Sequence, residues 1–314
     1  MSLVRLFAKR IALGLFAAWG VLTTVFGLFA LTNDWVLQAR VGLLKWASAE
    51  EAVIERARES YFAARGLNQP VHERYLGWLA DMLTLQWGQS FVTDEAVLSM
   101  VADAAVRTAL YVLPALVIAL VLGILIGLYA ALRPDSRLAN TGRIGTYVLF
   151  AVPGFWIGGL AISLAYAGYF PRSPLVFDHL FPVALTTMAL LGGYVSYARS
   201  HSLEYVSSDF VKLVRAKGGS PRKVARHVVR NAAIPLFSMV FTEALALLVL
   251  TVFVVESLFG IDGFGSLLID AVDQRDIPVM LGGTMAIIAV GVGGNIVQDF
   301  SYSMLDPRVD TGSR

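Results

Sequence analysis

Few residues in this chain combine a type and a setting that could do chemistry. Glu243 lies deep in the apolar stretch 232–256, where an ionisable side chain is costly and tends to serve a function. Two roles fit it: a carboxylate that lines a path or contacts a solute, or a group hydrogen-bonded across a helix interface. Asn295 and Asp299, near the end of the last apolar stretch, read as structural hydrogen-bonders at headgroup depth. The usual catalytic constellations are missing. His72, His179, His201 and His227 are scattered and no HExxH occurs, which disfavours a zinc protease. There is no GxxxxGK[ST] and no Gly-Lys pair, so the chain has no P-loop to cradle nucleotide phosphates. Zero cysteines exclude disulfides, thiolate metal sites and a cysteine nucleophile. Serines lie within the spans, but they form no Ser–His or Ser–Lys arrangement at helical spacing of the kind a hydrolase needs. The expectation is a non-enzyme without catalytic, cofactor or metal residues, whose uphill work would draw on a partner or an ion gradient.

Charge is concentrated in one loop. Arg199, Lys212, Arg215, Lys217, Arg222, Lys223, Arg226 and Arg230 stand there against Glu204 and Asp209, and a polybasic loop between spans stays cytoplasmic. Leu203, Val206, Phe210, Leu213 and Val214 recur at helical spacing, predicting one amphipathic helix. Gly218 and Gly219 supply the backbone freedom that ends it. Ser220 can cap a second helix and Pro221 suits its first position. That helix sets Val224, Ala225, Val228, Val229 and Ala232 on one face and Arg222, Arg226 and Arg230 on the other.

The elements that carry these residues belong to a membrane protein. The chain of 314 residues is 57% hydrophobic and 15% charged with mean hydropathy +0.67, against about 45–50% and 25% in a soluble domain. Six stretches reach the roughly 20 apolar residues that cross a bilayer: 10–32, 107–132, 144–170, 179–198, 232–256 and 279–303. The first follows Arg5, Lys9 and Arg10 like a signal peptide, but its length and the lack of a small-residue cleavage pattern make it a retained span. The net charge of +2 says less than where the charges fall. Arg133, Arg137 and Arg143 sit between spans two and three, whereas Glu256, Asp262, Asp270, Asp273 and Asp276 face Arg275 alone after span five. Both termini are therefore expected in the cytoplasm.

The expected division is 1–32 as terminus and first span, 33–106 as an external helical segment, and 107–303 as the membrane core with the cytoplasmic loop 199–231. Residues 304–314 form a tail. Within the external segment, Glu50 to Arg65 reads as a charged helix stopped by Gly66, and Pro70 starts another. Tyr75, Leu76, Trp78, Leu79, Met82 and Leu83 then make an apolar stripe. It reads as a cap packed on the membrane core, as a docking surface, or as both. Gly123 with Gly127, and Gly154 with Gly158, permit close helix approach, and Pro153-Gly154 should kink the third span.

These motifs, in order, resemble the permease subunit of ABC importers, specifically the B-type subunit of the dipeptide/oligopeptide/nickel family. Gly66-Leu67-Asn68-Gln69-Pro70, Tyr75-Leu76-Gly77-Trp78-Leu79 and Gly88-Gln89-Ser90-Phe91 resemble its external segment. Pro153-Gly154-Phe155-Trp156 resembles its third span. Arg215-Ala216-Lys217-Gly218 followed by Arg230-Asn231-Ala232-Ala233-Ile234-Pro235 resembles its cytoplasmic EAA loop. Glu256-Ser257-Leu258-Phe259-Gly260, Gly263-Phe264-Gly265 and Arg275-Asp276-Ile277-Pro278 resemble its last external loop, and Asp306-Pro307-Arg308 its end. Val214 stands where a small residue is usual, Asp262 where proline is common, and Glu243 where an uncharged polar residue is expected.

The resemblance implies an all-α fold of six transmembrane helices, of the type I importer class, with a helical external segment between spans 1 and 2. It implies that Phe210 to Pro221 dock on a cytoplasmic ATPase, with Phe210, Lys212, Val214, Arg215, Ala216, Lys217, Gly218, Gly219, Ser220 and Pro221 as the contact. Glu256, Gly260, Gly263 and Gly265 would shape the external loop. The implied partners are a homologous C-type permease, two ATPases that bind ATP and Mg, and an external substrate-binding protein; none is a nucleic acid. The competing reading is an ion-coupled secondary carrier that uses Glu243.

Overall fold

A computed structural model describes residues 3–31, 35–64, 66–220, 222–228 and 251–305. Glu243, Pro221, Arg230 and most of the expected fifth span lie outside the described residues. Among the described residues the chain is helical throughout, apart from turns and an isolated bridge between Gln89 and Ala96.

Five helices precede the first sharp break: α1 (Leu3–Leu31), α2 (Trp35–Trp46), α3 (Glu51–Ala64), α4 (Val71–Leu83) and α5 (Val97–Leu132). Gly66 ends α3 with φ of 61°, and Pro70 stands at the N-cap of α4, as the sequence predicts. At 36 residues, α5 is far longer than the roughly 20 needed to span a bilayer, because its helical signal starts at Val97, ahead of the apolar run at 107. Its first turns bury Val97 and Val101 with Met82, Trp87, Ala271 and Val279. Phe26 of α1 packs edge-on against Tyr75 and tilted on Trp78, and the Thr23 and Tyr75 hydroxyls lie 2.7 Å apart. The stripe on α4 thus caps the bundle, although Leu76 and Leu83 remain exposed.

The third apolar stretch is broken into two helices. Helix α6 (Arg137–Ala151) and α7 (Gly154–Tyr166) meet at 78°, because Pro153 cannot continue the backbone ladder and restricts Val152 to extended angles. A π-helical turn, Leu175–Leu180, leads into α8 (Phe181–Val206). Among the described residues, α5 and α8 make the most extensive helix packing. A methyl added at Gly123 would strike Tyr194 Cβ, and one at Gly127 would strike Ala198 Cβ and the Val195 carbonyl. That GxxxG pair therefore closes a helix contact within the chain. Of the other pair, Gly158 abuts Leu258 and Leu185, while Gly154 faces open space.

The remaining helices are α9 (Asp209–Ala216), α10 (222–228), α11 (Thr251–Phe259), α12 (Phe264–Asp273) and α13 (Ile277–Leu305). α11 and α12 meet at 84°. Among the described residues four helices are long and apolar enough to cross a membrane, and six if each bent pair forms one span. Phe16, Leu110, Val117 and Leu125 project from α1 and α5 into solvent space, an arrangement suited to lipid tails. The chain is a multi-pass membrane protein.

Candidate functional site

The basic elbow sits at the C-terminal end of α5. Two serines shape its entry. The apolar spacing from Leu203 to Val214 predicts one helix, but α8 stops at Val206 and Ser208 caps a new helix at Asp209. The Ser208 hydroxyl turns back to the Tyr205 carbonyl at 2.5 Å, the local competition by which serine breaks helices. The buried anchor of α9 is consequently Val211, fully shielded from solvent. The sequence reading missed it and placed Leu213 on that face; Leu213 is 55% exposed. Val211 packs with Leu128, Val224 and Val228, flanked by Val206, Phe210 and Val214.

The exit of α9 is the glycine elbow. The Gly218 N–H donates to the Arg215 carbonyl and the Gly219 N–H to the Val214 carbonyl, both at 2.9 Å. This is the paired closure that satisfies the last carbonyls of a helix, and it needs a left-handed residue. Gly218 supplies that residue with φ of 74°. Gly219 meets a second constraint, because any Cβ there would collide with the Val214 carbonyl and side chain. Ser220 then caps α10: its carbonyl accepts from Lys223 and Val224, and its hydroxyl lies 3.4 Å from the Lys223 N–H. The sequence-derived elbow is thus assembled in one place, with Lys212, Arg215, Ala216 and Lys217 exposed on its outer side. Lys212 is held by Asp209 at 2.8 Å.

At the other end of α5 the residues of the 256–278 segment are brought together by a carboxyl group. Glu256 is fully buried. Its Oε1 accepts from the Thr108 hydroxyl at 2.5 Å and from the Tyr111 hydroxyl at 3.1 Å, and its Oε2 accepts from the Ser266 N–H at 2.9 Å. Thr108 also accepts from the Phe264 N–H at 2.8 Å. Glu256 and Thr108 together satisfy two of the free N–H groups in the first turn of α12, where an acidic group is favoured. Gly263 leaves room for the carboxyl, which any Cβ there would overlap. Gly260 turns the chain with φ of 66°, and Gly265 lies against the backbone of Phe253. The Arg107 guanidinium reaches the Asp262 carbonyl at 3.0 Å.

A second carboxyl makes a parallel junction. Asp276, nearly buried, accepts from the Ser90 hydroxyl and, at 3.1 Å, from the Phe91 N–H. Ser90 in turn accepts from the N–H groups of Val92 and Thr93 at 3.1 and 3.0 Å. Neither Ser90 nor Thr108 is legible from the sequence as a partner, because each lies well over a hundred positions from its acid. Among the described residues no cluster of His, Cys, Asp and Glu could hold a metal.

The described residues thus form a helix bundle with a built elbow at one end of α5 and carboxyl-pinned loops at the other. The chain belongs to the family of binding-protein-dependent transport system inner membrane components, whose model matches residues 123–311. It is similar to the oligopeptide transport system permease protein AppB of Bacillus subtilis (strain 168), at 29% identity over 81% of this chain and 85% of that protein. The dipeptide transport system permease protein DppB of Lactococcus lactis subsp. cremoris (strain MG1363) is 30% identical over 78% of this chain and 83% of its own length. A putative peptide permease protein of Brucella ovis, BOV_A0351, is 29% identical over 98% and 99%.

Proposed function

We propose that this chain is one of two membrane subunits of an ATP-driven importer of di- or oligopeptides, and that it couples to cytoplasmic ATPases through the elbow. It would form half of the translocation pathway beside a homologous permease, with solute delivered by an external binding protein. The peptide class rests on the printed names of the relatives. On this reading the chain has six spans, the fifth being the stretch 232–256, and charge distribution puts both termini and the basic loop in the cytoplasm. The carboxyl-pinned loops and the α2–α4 segment then lie outside.

The observation that carries the coupling role is the construction of the elbow. Positive charge alone would satisfy topology without a short helix anchored by Val211 and a two-glycine closure. A helix so anchored moves with α5 and α8, and a push on its exposed residues reaches the spans directly. The test is peptide uptake in cells carrying Gly218→Trp, or the double reversal Arg215→Glu with Lys217→Glu. Uptake should vanish while the protein stays in the membrane and releases its ATPases during purification. Normal uptake in both variants would overturn the coupling role. Uptake that survives ATP depletion, and loses its pH dependence in Glu243→Gln, would make the chain an ion-coupled carrier instead.

A further inference from the structure

Beside the elbow lies a cleft of about 520 Å³, lined by Tyr129, Leu132 and Arg133 from the end of α5 and by Arg215, Arg222 and Val224 from the loop. Its three arginines come from three separate elements and are all exposed. No carboxylate among the described residues pairs with any of them; Asp209, the acid of α9, is occupied by Lys212. Three like charges around one cleft repel each other, and they are stabilised by an anion that bridges them. Guanidinium groups fit phosphate oxygens in paired, planar geometry. Leu132 adds apolar lining, and the cleft is many times the roughly 30 Å³ occupied by a water molecule.

Position decides which phosphate compound fits. Tyr129 to Arg133 end an apolar helix, so the cleft opens at headgroup depth, with the tyrosine and arginine where membrane interfaces favour them. Basic pockets at this depth on the cytoplasmic side attract anionic headgroups. We propose that the Arg133–Arg215–Arg222 cleft binds the phosphate of an anionic phospholipid, with an acyl chain against Leu132. Such a lipid joins the end of α5 to both helices of the elbow. This inference rests on the cytoplasmic placement proposed above and shares Arg215 with the proposed ATPase contact, but it does not depend on the solute.

The test uses the full chain purified in neutral detergent and titrated separately with dioctanoyl phosphatidylglycerol, dioctanoyl phosphatidylcholine and inorganic phosphate. Native mass spectrometry reads retained lipid, and the thermal midpoint reads stabilisation. Phosphatidylglycerol should be retained and should raise the midpoint, whereas phosphatidylcholine should do neither. Arg133→Gln with Arg222→Gln, both at exposed positions, should keep the lipid-free midpoint and weaken phosphatidylglycerol on the order of tenfold or more. Arg222→Lys, which keeps the charge but loses the planar fork, should fall between. Equal binding of the two lipids, or indifference to the double variant, would overturn the proposal. Protection by inorganic phosphate equal to that by phosphatidylglycerol would make the cleft a free-anion site and overturn the lipid assignment. Loss of bound phosphatidylglycerol when the ATPase subunits are added would show the cleft to be their seat, with the same consequence.

Discussion

Glu256 and Asp276 do their work through hydrogen bonds that cross most of the chain. Replacing Glu256 by alanine strands the Thr108 and Tyr111 hydroxyls and the Ser266 N–H together. At roughly 1 kcal/mol for each lost bond, Glu256→Ala should cost about 3 kcal/mol and lower the thermal midpoint in detergent clearly. Glu256→Gln retains one accepting oxygen but turns an NH2 toward a donor, so its loss should be smaller, about 1–2 kcal/mol. Gly263→Ala pushes a methyl into the same carboxyl and should couple to Glu256→Gln in a double-mutant cycle. Additive effects would show that the carboxyl does not organise the loop. The sequence reading assigns Glu256 to the external loop but names no partner for it. Its partner Thr108 is 148 positions away, and no local pattern pairs the two. The glycines at 218 and 219 are legible for the opposite reason: the requirement they meet is set by neighbours three and five residues back.

At the scale of elements, the apolar spacing predicts which segments are helices better than where they break. Proline shows a break plainly, as at Pro153, whereas Ser207 and Ser208 hide one because apolar residues continue in register on both sides. The consequence is a different anchor for α9 and a sharper prediction. Val211→Ala removes buried atoms from the Leu128–Val224–Val228 cluster and should cost roughly 2 kcal/mol, read as faster proteolysis of the loop. Leu213→Ala leaves that cluster intact; on the coupling reading it should lower uptake without changing proteolysis. If Leu213→Ala destabilises the loop and Val211→Ala does not, the broken-helix register is wrong. The GxxxG signals divide in the same manner. Gly127→Leu collides with the α8 backbone and should prevent accumulation of folded protein. Gly154→Leu meets no atom within 4 Å and should accumulate normally; uptake in that variant reports whether a second subunit packs there.

For the whole molecule, the polarity of the two ends ties every functional reading together. Basic residues gather where α9 and α10 leave the bundle, and acids gather around α12, so the charge asymmetry and the fold point the same way across the membrane. The segment Trp35–Leu83 belongs to the acidic end, since Tyr75 and Trp78 pack on Phe26 and Met82 joins Ala271 and Val279 in one cluster. Membrane orientation is therefore a single binary quantity, and one set of reporters measures it. The natural absence of cysteine lets each reporter be a lone thiol in an otherwise silent background. Asp94→Cys and Asp262→Cys at the acidic end should react with a membrane-impermeant maleimide added to intact cells. Lys217→Cys, at the tip of the elbow, should react only after the membrane is opened. Labelling of Lys217→Cys in intact cells would invert the chain and remove the elbow from reach of any cytoplasmic ATPase. Labelling of Asp94→Cys and Asp262→Cys on opposite sides would mean that the bent pair α6–α7 does not cross the bilayer. In that case the chain would have five spans, and its termini would face different compartments.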